Sequence, residues 1–229
     1  FESPLLHKLT WPKVSWAPGL FDLDNDTDLD LFFANGHLNS VSGDNRQSNL
    51  LFENDGRGRF TDISEISGVL ATGNRIHRSA IFADYDDDGR VDIFVTVNGQ
   101  QVEDGQGNNI FDPNQGKGIL FHNETKGDNN WIKVRLEGTK SNRDGFGSTV
   151  SITVGTIKQK QALVSGQGYF SSHAKEIYFG LGSIKSIDKI EVSWPSGMDQ
   201  TFENIPANQT VYIVEGETLH QNTSHLSVK

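Results

Sequence analysis

Apolar and polar residues alternate from Asn130 onward. Ile132, Val134 and Leu136 share one face of the run Trp131 to Glu137, and Val150, Ile152 and Val154 repeat the pattern. Ile190, Val192 and Trp194 follow it again, and then Val211 and Ile213. A period of two sends neighbouring side chains to opposite faces of an extended chain, so each run predicts a half-buried strand. Gly145, Gly147, Gly155, Gly166, Gly168, Gly180, Gly182, Pro195 and Gly197 punctuate these runs. Strands and turns of this kind over 130–216 predict a β-sandwich or barrel-like module. The polar tail from Glu217 to Lys229 is expected to fray.

Before Asn130 the pattern is different, and it occurs twice. Gly19-Leu-Phe21 and Ala80-Ile-Phe-Ala83 each lead into an acidic stretch, and Leu31-Phe-Phe-Ala34 and Ile93-Phe-Val-Thr-Val97 follow. Further on come Leu50-Leu-Phe-Glu-Asn54 and Ile119-Leu-Phe-His-Asn123. The acidic stretches are 62 residues apart and the later pair 69, which places the extra residues in the turn-rich segment Asn98 to Gly118. That segment reads as a long surface loop, with Asn35 to Ser48 as its earlier counterpart. Short aromatic and β-branched runs in a unit of ~60 residues suit four-stranded propeller blades. Helical periodicity is nearly absent; Ile63 to Val69 is expected to make one short turn. Phe1 falls in what reads as the strand region ahead of the first acidic stretch. Two blades cannot close a ring, so further blades are expected upstream or from another chain.

The acidic stretches carry the chemistry. Asp22, Asp24, Asp26 and Asp30 occupy positions 1, 3, 5 and 9 of one nine-residue loop, and Asp84, Asp86, Asp88 and Asp92 occupy the same positions of the other. Like charges ~4 Å apart repel by about 1 kcal/mol in water and about 4 near a protein surface. A hard divalent cation with six to eight oxygen ligands turns that repulsion into binding, so the spacing predicts two Ca²⁺ sites. Position 7, Asp28 and Arg90, is expected to contribute its backbone carbonyl, since its side chain changes from acid to base. A helix-loop-helix site would want Glu at position 12, where Phe33 and Val95 stand here. Gly89 at position 6 permits the tight turn; Thr27 stands there in the first loop and is expected to strain the turn or weaken the affinity of that site. The bland alternative is a pair of solvated acidic turns, which the doubled spacing within matching flanks disfavours. The calcium is expected to be structural, pinning turns between strands.

Composition narrows the partners. Of the 30 acidic residues ten lie in the two loops, so the net charge of −10 belongs to them and not to the whole surface. No Lys/Arg-rich block exists, which excludes nucleic acid and anionic membrane as expected partners. No apolar run approaches the ~18 residues of a membrane helix. The absence of cysteine removes disulfides and thiolate metal sites. Calcium loops of modest affinity fill where calcium is abundant, so an extracellular or periplasmic location is expected. Phe1 carries no initiator methionine or signal segment, which reads as a processed product or an excised piece.

Other chemistry fares poorly. None of the seven histidines forms a His-x-x-x-His pair, and His37 and His77 are expected in loops beside the calcium turns, hydrogen-bonding there. No Gly-x-Ser-x-Gly elbow is present. Paired carboxylates could hydrolyse a glycosidic bond, but these aspartates are accounted for by a cation. Trp11, Trp16, Trp131 and Trp194 read as core residues before they read as a sugar platform. Arg75, Arg78 and the two long loops are the better candidates for binding a protein or glycan. Asn25, Asn123, Asn208 and Asn222 are glycosylation sequons and carry little weight, since glycosylation of Asn25 would interfere with its metal loop.

Leu20 to Asn123 resembles the FG-GAP/VCBS-type repeats, the calcium-loop blades also seen in integrin α-chain propellers. Asn49-Leu-Leu-Phe-Glu-Asn-Asp-Gly-Arg-Gly-Arg-Phe-Thr-Asp62 follows that family's pattern, and Asn35-Gly-His37 fits it. Asn130 to Glu215 resembles the ASPIC/UnbV domain through Asn130 to Asp144, Gly180-Leu-Gly182, Val192-Ser-Trp-Pro-Ser-Gly197 and Asn204-Ile-Pro-Ala-Asn208. The order of the two is that of bacterial relatives of cartilage acidic protein. The resemblance implies an all-β chain, a partial β-propeller of two blades over residues 1–125 followed by a β-sandwich-like ASPIC/UnbV module over 130–216. It implies an exported, non-enzymatic adhesion, ligand-binding or scaffold protein, with no catalytic residues. A structural subunit that self-associates and a fragment of a polysaccharide-active enzyme are the alternatives. Departures from the pattern are Thr27 and the absence of a Gly-x-Gly-x-Phe segment after Asn123.

Overall fold

The computed structural model describes residues 4–38, 45–99, 101–103, 105–106, 109–111 and 116–221. The first blade is a four-stranded antiparallel sheet in chain order: β1 (Ser15–Phe21), β2 (Asp30–Asn35), β3 (Leu50–Asn54) and β4 (Phe60–Asp62). A helix, α1 (Pro4–Thr10), precedes it, where the sequence reads as strand. Pro4 suits a first helical turn and Leu5, Leu6, Lys8 and Leu9 are good helix formers. The turn expected over Ile63 to Val69 is present at residues 64–67, closed by the Ser67 N–H on the Ile63 carbonyl at 2.9 Å, and a short 3-10 helix at Val69–Thr72 follows it.

The second blade has three strands, β5 (Ile76–Ala83), β6 (Asp92–Asn98) and β9 (Ile119–Phe121). Within the expected long loop lies a separate hairpin, β7 (Gln101–Glu103) with β8 (Asn109–Phe111), in register at Val102 and Ile110. After Asn123 no fourth strand joins β9 among the described residues, as the missing glycine-rich segment implies.

The two blades stack on one core but turn opposite faces to it. Phe32 and Ala34 of β2 are buried, whereas in β6 the buried set is Ile93, Val95 and Val97. Phe32 and Phe94 hold the same place after their acidic loops, yet Phe32 is 0% exposed and Phe94 40%. This is the geometry of sheets packed front to back, with Phe21 stacked on Phe82 at 4.8 Å between them. The far face of the second sheet is left with Phe94 and its cross-strand neighbour Leu120 exposed.

The C-terminal module is a sandwich. One sheet orders β13 (Glu176–Gly182), β10 (Asn130–Glu137), β16 (Gln209–Val214) and β17 (Leu219–Gln221), with β10 and β16 parallel. The other orders β12 (Ile157–Ala162), β11 (Thr149–Val154), β14 (Ser186–Ser193) and β15 (Asp199–Pro206). The alternating residues meet between them: Ile132, Val134, Leu136, Val150, Ile152, Ile190, Val192, Trp194, Val211 and Ile213 are all buried. The tail does not fray at Glu217, because Leu219 to Gln221 pair with β16.

The opposite face of β10 and β13 is not a solvent face, as half-buried strands would have it. It carries Trp131, Lys133, Tyr178 and Gly180, and it lies against the two acidic loops of the blades. Lys133 is 0% exposed.

Candidate metal centres

Each acidic loop joins the first two strands of its blade and folds around its own position-1 carboxylate. Asp22 accepts the N–H of Asp26 and of Thr27, both at 3.0 Å, and Asp84 accepts those of Asp88 and Gly89, both at 3.0 Å. The position-9 carboxylate closes the loop in the same way. Asp30 accepts the N–H of Leu23 at 2.8 Å and of Asn54 at 2.9 Å; Asp92 accepts those of Tyr85 at 3.1 Å and of Asn123 at 2.8 Å. Asn54 and Asn123 end the Leu-Phe-x-Asn runs, and their amides return to the carbonyls of Leu29 and Val91. Their place in the loops is visible only once β3 and β9 lie beside β2 and β6.

Both loops turn through left-handed residues at positions 4 and 6. Asn25 and Asp87 have φ of 61° and 60°, Gly89 has φ 87°, and Thr27 is forced to φ 92°. A β-branched residue there is strained, by about 1–3 kcal/mol. Gly89 is required a second time, because a Cβ on it would stand 1.9 Å from the Trp131 ring.

The donors are oxygens and they converge. One carboxylate oxygen from each of Asp22, Asp24 and Asp30 lies within 4.8 Å of the others, and so does one from each of Asp84, Asp86 and Asp92. Asp26 stands outside these triads, while Asp88 converges with Asp86 and the His122 ring in a third group; Asp26 and Asp88 also accept the N–H groups of Asp28 and Arg90. Asp28 turns Oδ1 into the fold, where it is buried without a hydrogen-bond partner. An oxygen-only donor set with an orphaned carboxylate atom suits a hard divalent cation of the calcium or magnesium type. Arg90 takes a different part: its guanidinium bonds the Asp88 carboxylate and the Asn123 carbonyl.

The electrostatics of the two loops part company. Among the described residues no basic side chain pairs with an aspartate of the first loop. Burial, reinforced by Asp26, Asp24 and Asp30 against the Thr27 N–H, pushes Asp22 up to about 8. Burial raises Asp30 to about 7 although the Asn54 and Leu23 N–H groups oppose it, and burial with Asp26 and Asp24 raises Asp28 to about 6. In the second loop the Lys133 ammonium bonds Asp84 at 2.9 Å and Asp87, and holds Asp87 below the usual carboxylate range. His122 lies 3.1 Å from Asp86, and Arg90 pairs with Asp88. Asp92 is raised by burial.

The C-terminal module is the floor of both loops. Gly182 donates its N–H to the Asn25 carbonyl at 2.8 Å, and a Cβ on Gly180 would stand 1.9 Å from Asp22 Oδ2. Asn129 reaches the Asp24 carbonyl at 3.0 Å. The loops also touch each other, through Asn25 Nδ2 on the Gly89 carbonyl at 3.1 Å. The sequon amides of Asn25, Asn123 and Asn208 are thus all engaged in hydrogen bonds within the fold, while Asn222 is outside the described residues.

Several other sequence candidates sit elsewhere. His77 lies in β5 and His37 just past β2, at the ends of those strands away from the acidic loops. The His77 ring meets the Asn35 carbonyl at 2.9 Å, and burial lowers it to about 4. Arg78 is buried over the Trp16 ring at 4.7 Å and donates to the carbonyls of Gly36, His77 and His37. It fastens the turn after β2. Trp11 is 79% exposed, against its reading as core. The rest of the proposed binding face, 39–44 and much of 100–115, lies outside the described residues.

Fold and loops together define a β-rich, two-module repeat protein. Family comparison makes it particular: an FG-GAP-like repeat matches residues 22–95, and an ASPIC and UnbV model matches residues 138–220. The chain carries both, in that order. None of the curated proteins compared with it matches. FG-GAP repeats are typical of extracellular proteins, and among the described residues no helix is long and apolar enough to cross a membrane.

Proposed function

We propose that this chain is a calcium-binding, non-enzymatic binding or scaffold protein that works outside the cytoplasm. One observation carries the reading: the first loop buries Asp22 and Asp30 and half-buries Asp24 and Asp28, with no basic side chain among the described residues to balance them. Asp22, Asp24, Asp28 and Asp30 would hold the ion there, and Asp84, Asp86 and Asp92 in the second loop, with position-7 carbonyls available to each. The ion supplies charge balance and fixes the loop. Because each loop is also a seat for the C-terminal module, that fixing is structural. A protein or glycan ligand is assigned to the opposite end of the blades, where the long connections emerge.

Calorimetric titration of the cation-free chain with calcium tests this. Saturable binding that is lost in an Asp22→Ala, Asp84→Ala double variant supports it; heats of dilution alone from the unaltered chain overturn it. A second reading, a structural subunit of an extracellular assembly, has the bare Phe94 and Leu120 face in its favour. A neighbouring β-sheet would cover that face. Light scattering across a concentration series separates the two.

A further inference from the structure

We propose that Lys133 is a tethered counter-ion for the second loop, and that it makes that loop the weaker of two unequal calcium sites. The inference rests on the calcium reading above. Both loops dock on the same pair of strands, but they meet different chemistry there. The first meets the bare backbone of Gly180 and Gly182. The second meets an ammonium group delivered from β10, 2.9 Å from the position-1 carboxylate Asp84 and bonded also to Asp87. Glu176 lies 3.8 Å away on the same ammonium. Lys133 has no exposure, so water does not screen it.

An incoming dication must share Asp84 with that charge. Arg90 on Asp88 adds to the compensation already in place. No such cation exists at the first loop, where backbone N–H groups are the only partners that Asp22 and Asp30 have among the described residues. The strain at Thr27 does not reverse the order, because the loop holds φ 92° without any ion and binding need not create it. Lys133 is therefore a positioning and tuning residue and not a ligand.

The test is calcium titration of the full chain by calorimetry, with each loop disabled in turn. Two classes of site separated by roughly tenfold or more are expected, as a desolvated charge contact of this kind implies. Asp24→Ala should abolish the tight class and Asp86→Ala the weak one. Lys133→Met should tighten the second site by roughly tenfold and leave the first unchanged, while Lys133→Arg keeps it weak. A lysine that merely supports the fold gives the opposite sign, a weaker site on removal. Equal classes, the reverse assignment by the two aspartate variants, or an unchanged or weaker second site in Lys133→Met each overturn the inference. The aspartate variants decide the order even if Lys133→Met does not fold. No binding in the unaltered chain overturns the calcium reading itself, and this inference with it.

Discussion

The two acidic loops share a backbone path and a set of N–H contacts, yet differ in how their charge is handled. The first crowds its aspartates together with only Asp22 and Asp30 fully buried, and Asp22, Asp30 and Asp28 are driven to about 8, 7 and 6. The second is met by Lys133, Arg90 and His122. Identical spacing therefore fixes geometry without fixing charge balance, since the basic neighbours come from β10 and from the loop itself. Magnitudes rank the effects. The tenfold effect expected of Lys133 is about 1.4 kcal/mol, a net left after Asp87 and Glu176 offset much of its repulsion of a dication. The strain of one left-handed Thr is about 1–3 kcal/mol and is present with or without the ion.

Removing calcium should give the largest response. At a thousandfold excess over Kd a site contributes about 4 kcal/mol, roughly 8–16 °C in a chain of this size. Scanning calorimetry with and without chelator checks it, and the shift should shrink more in Asp24→Ala than in Asp86→Ala. Equal shrinkage would erase the contrast between the loops.

Gly180→Ala comes next. The new Cβ would stand 1.9 Å from Asp22 Oδ2 and 2.6 Å from the Asn25 Cα, so the first loop must move off its floor at a cost of about 1–3 kcal/mol. Gly127→Ala meets nothing within 4 Å and should be silent in the same urea titration.

A smaller gain is expected from Thr27→Gly. Relief of the left-handed strain, set against the entropy of glycine, leaves about 0.5–1 kcal/mol of added stability in chelator. Loss of stability instead would mean that the Thr27 side chain supports the loop in a way its dihedral conceals.

Glu215 sharpens the comparison from outside the loops. It too is a buried carboxylate, but it accepts the N–H groups of Thr139, Lys140 and Ser141 at 2.9, 2.7 and 2.7 Å and the hydroxyls of Ser141 and Ser196. Burial alone would raise it; the hydrogen bonds of Ser141, Ser196 and Lys140 outweigh that and hold it at about 2. A depressed carboxyl gives stability that is full above its ordinary value near 4.5 and is lost as pH falls through about 2. Glu215→Gln should flatten that acid limb in calcium and in chelator alike. A limb unchanged by the substitution would assign acid sensitivity to other groups.

What could be read from the chain follows from how local the signal is. Aspartates two residues apart, Gly89 at the turn, and the alternation that carries Trp194 inward are all decided within a few residues. The far side of β10 is decided elsewhere. Nothing near Lys133 says that it meets Asp84, 49 residues back, or that Gly180 must leave room for Asp22. The same period of two that marks a half-buried strand also describes one buried on both faces when its second face carries a lysine and an aromatic. His77 was misplaced for a related reason. It is seven residues before Asp84, but in a strand that distance is about 23 Å.

The half-burial of Trp131 and the full burial of Lys133 beneath the blades bear on how the protein can be dissected. Cutting the chain near residue 129 to free the sandwich would put an indole into water and leave an ammonium without two of its acidic neighbours. The severed piece should be stickier and less stable than its tidy interior suggests, and its outer sheet would need polar replacements before it behaved as a unit.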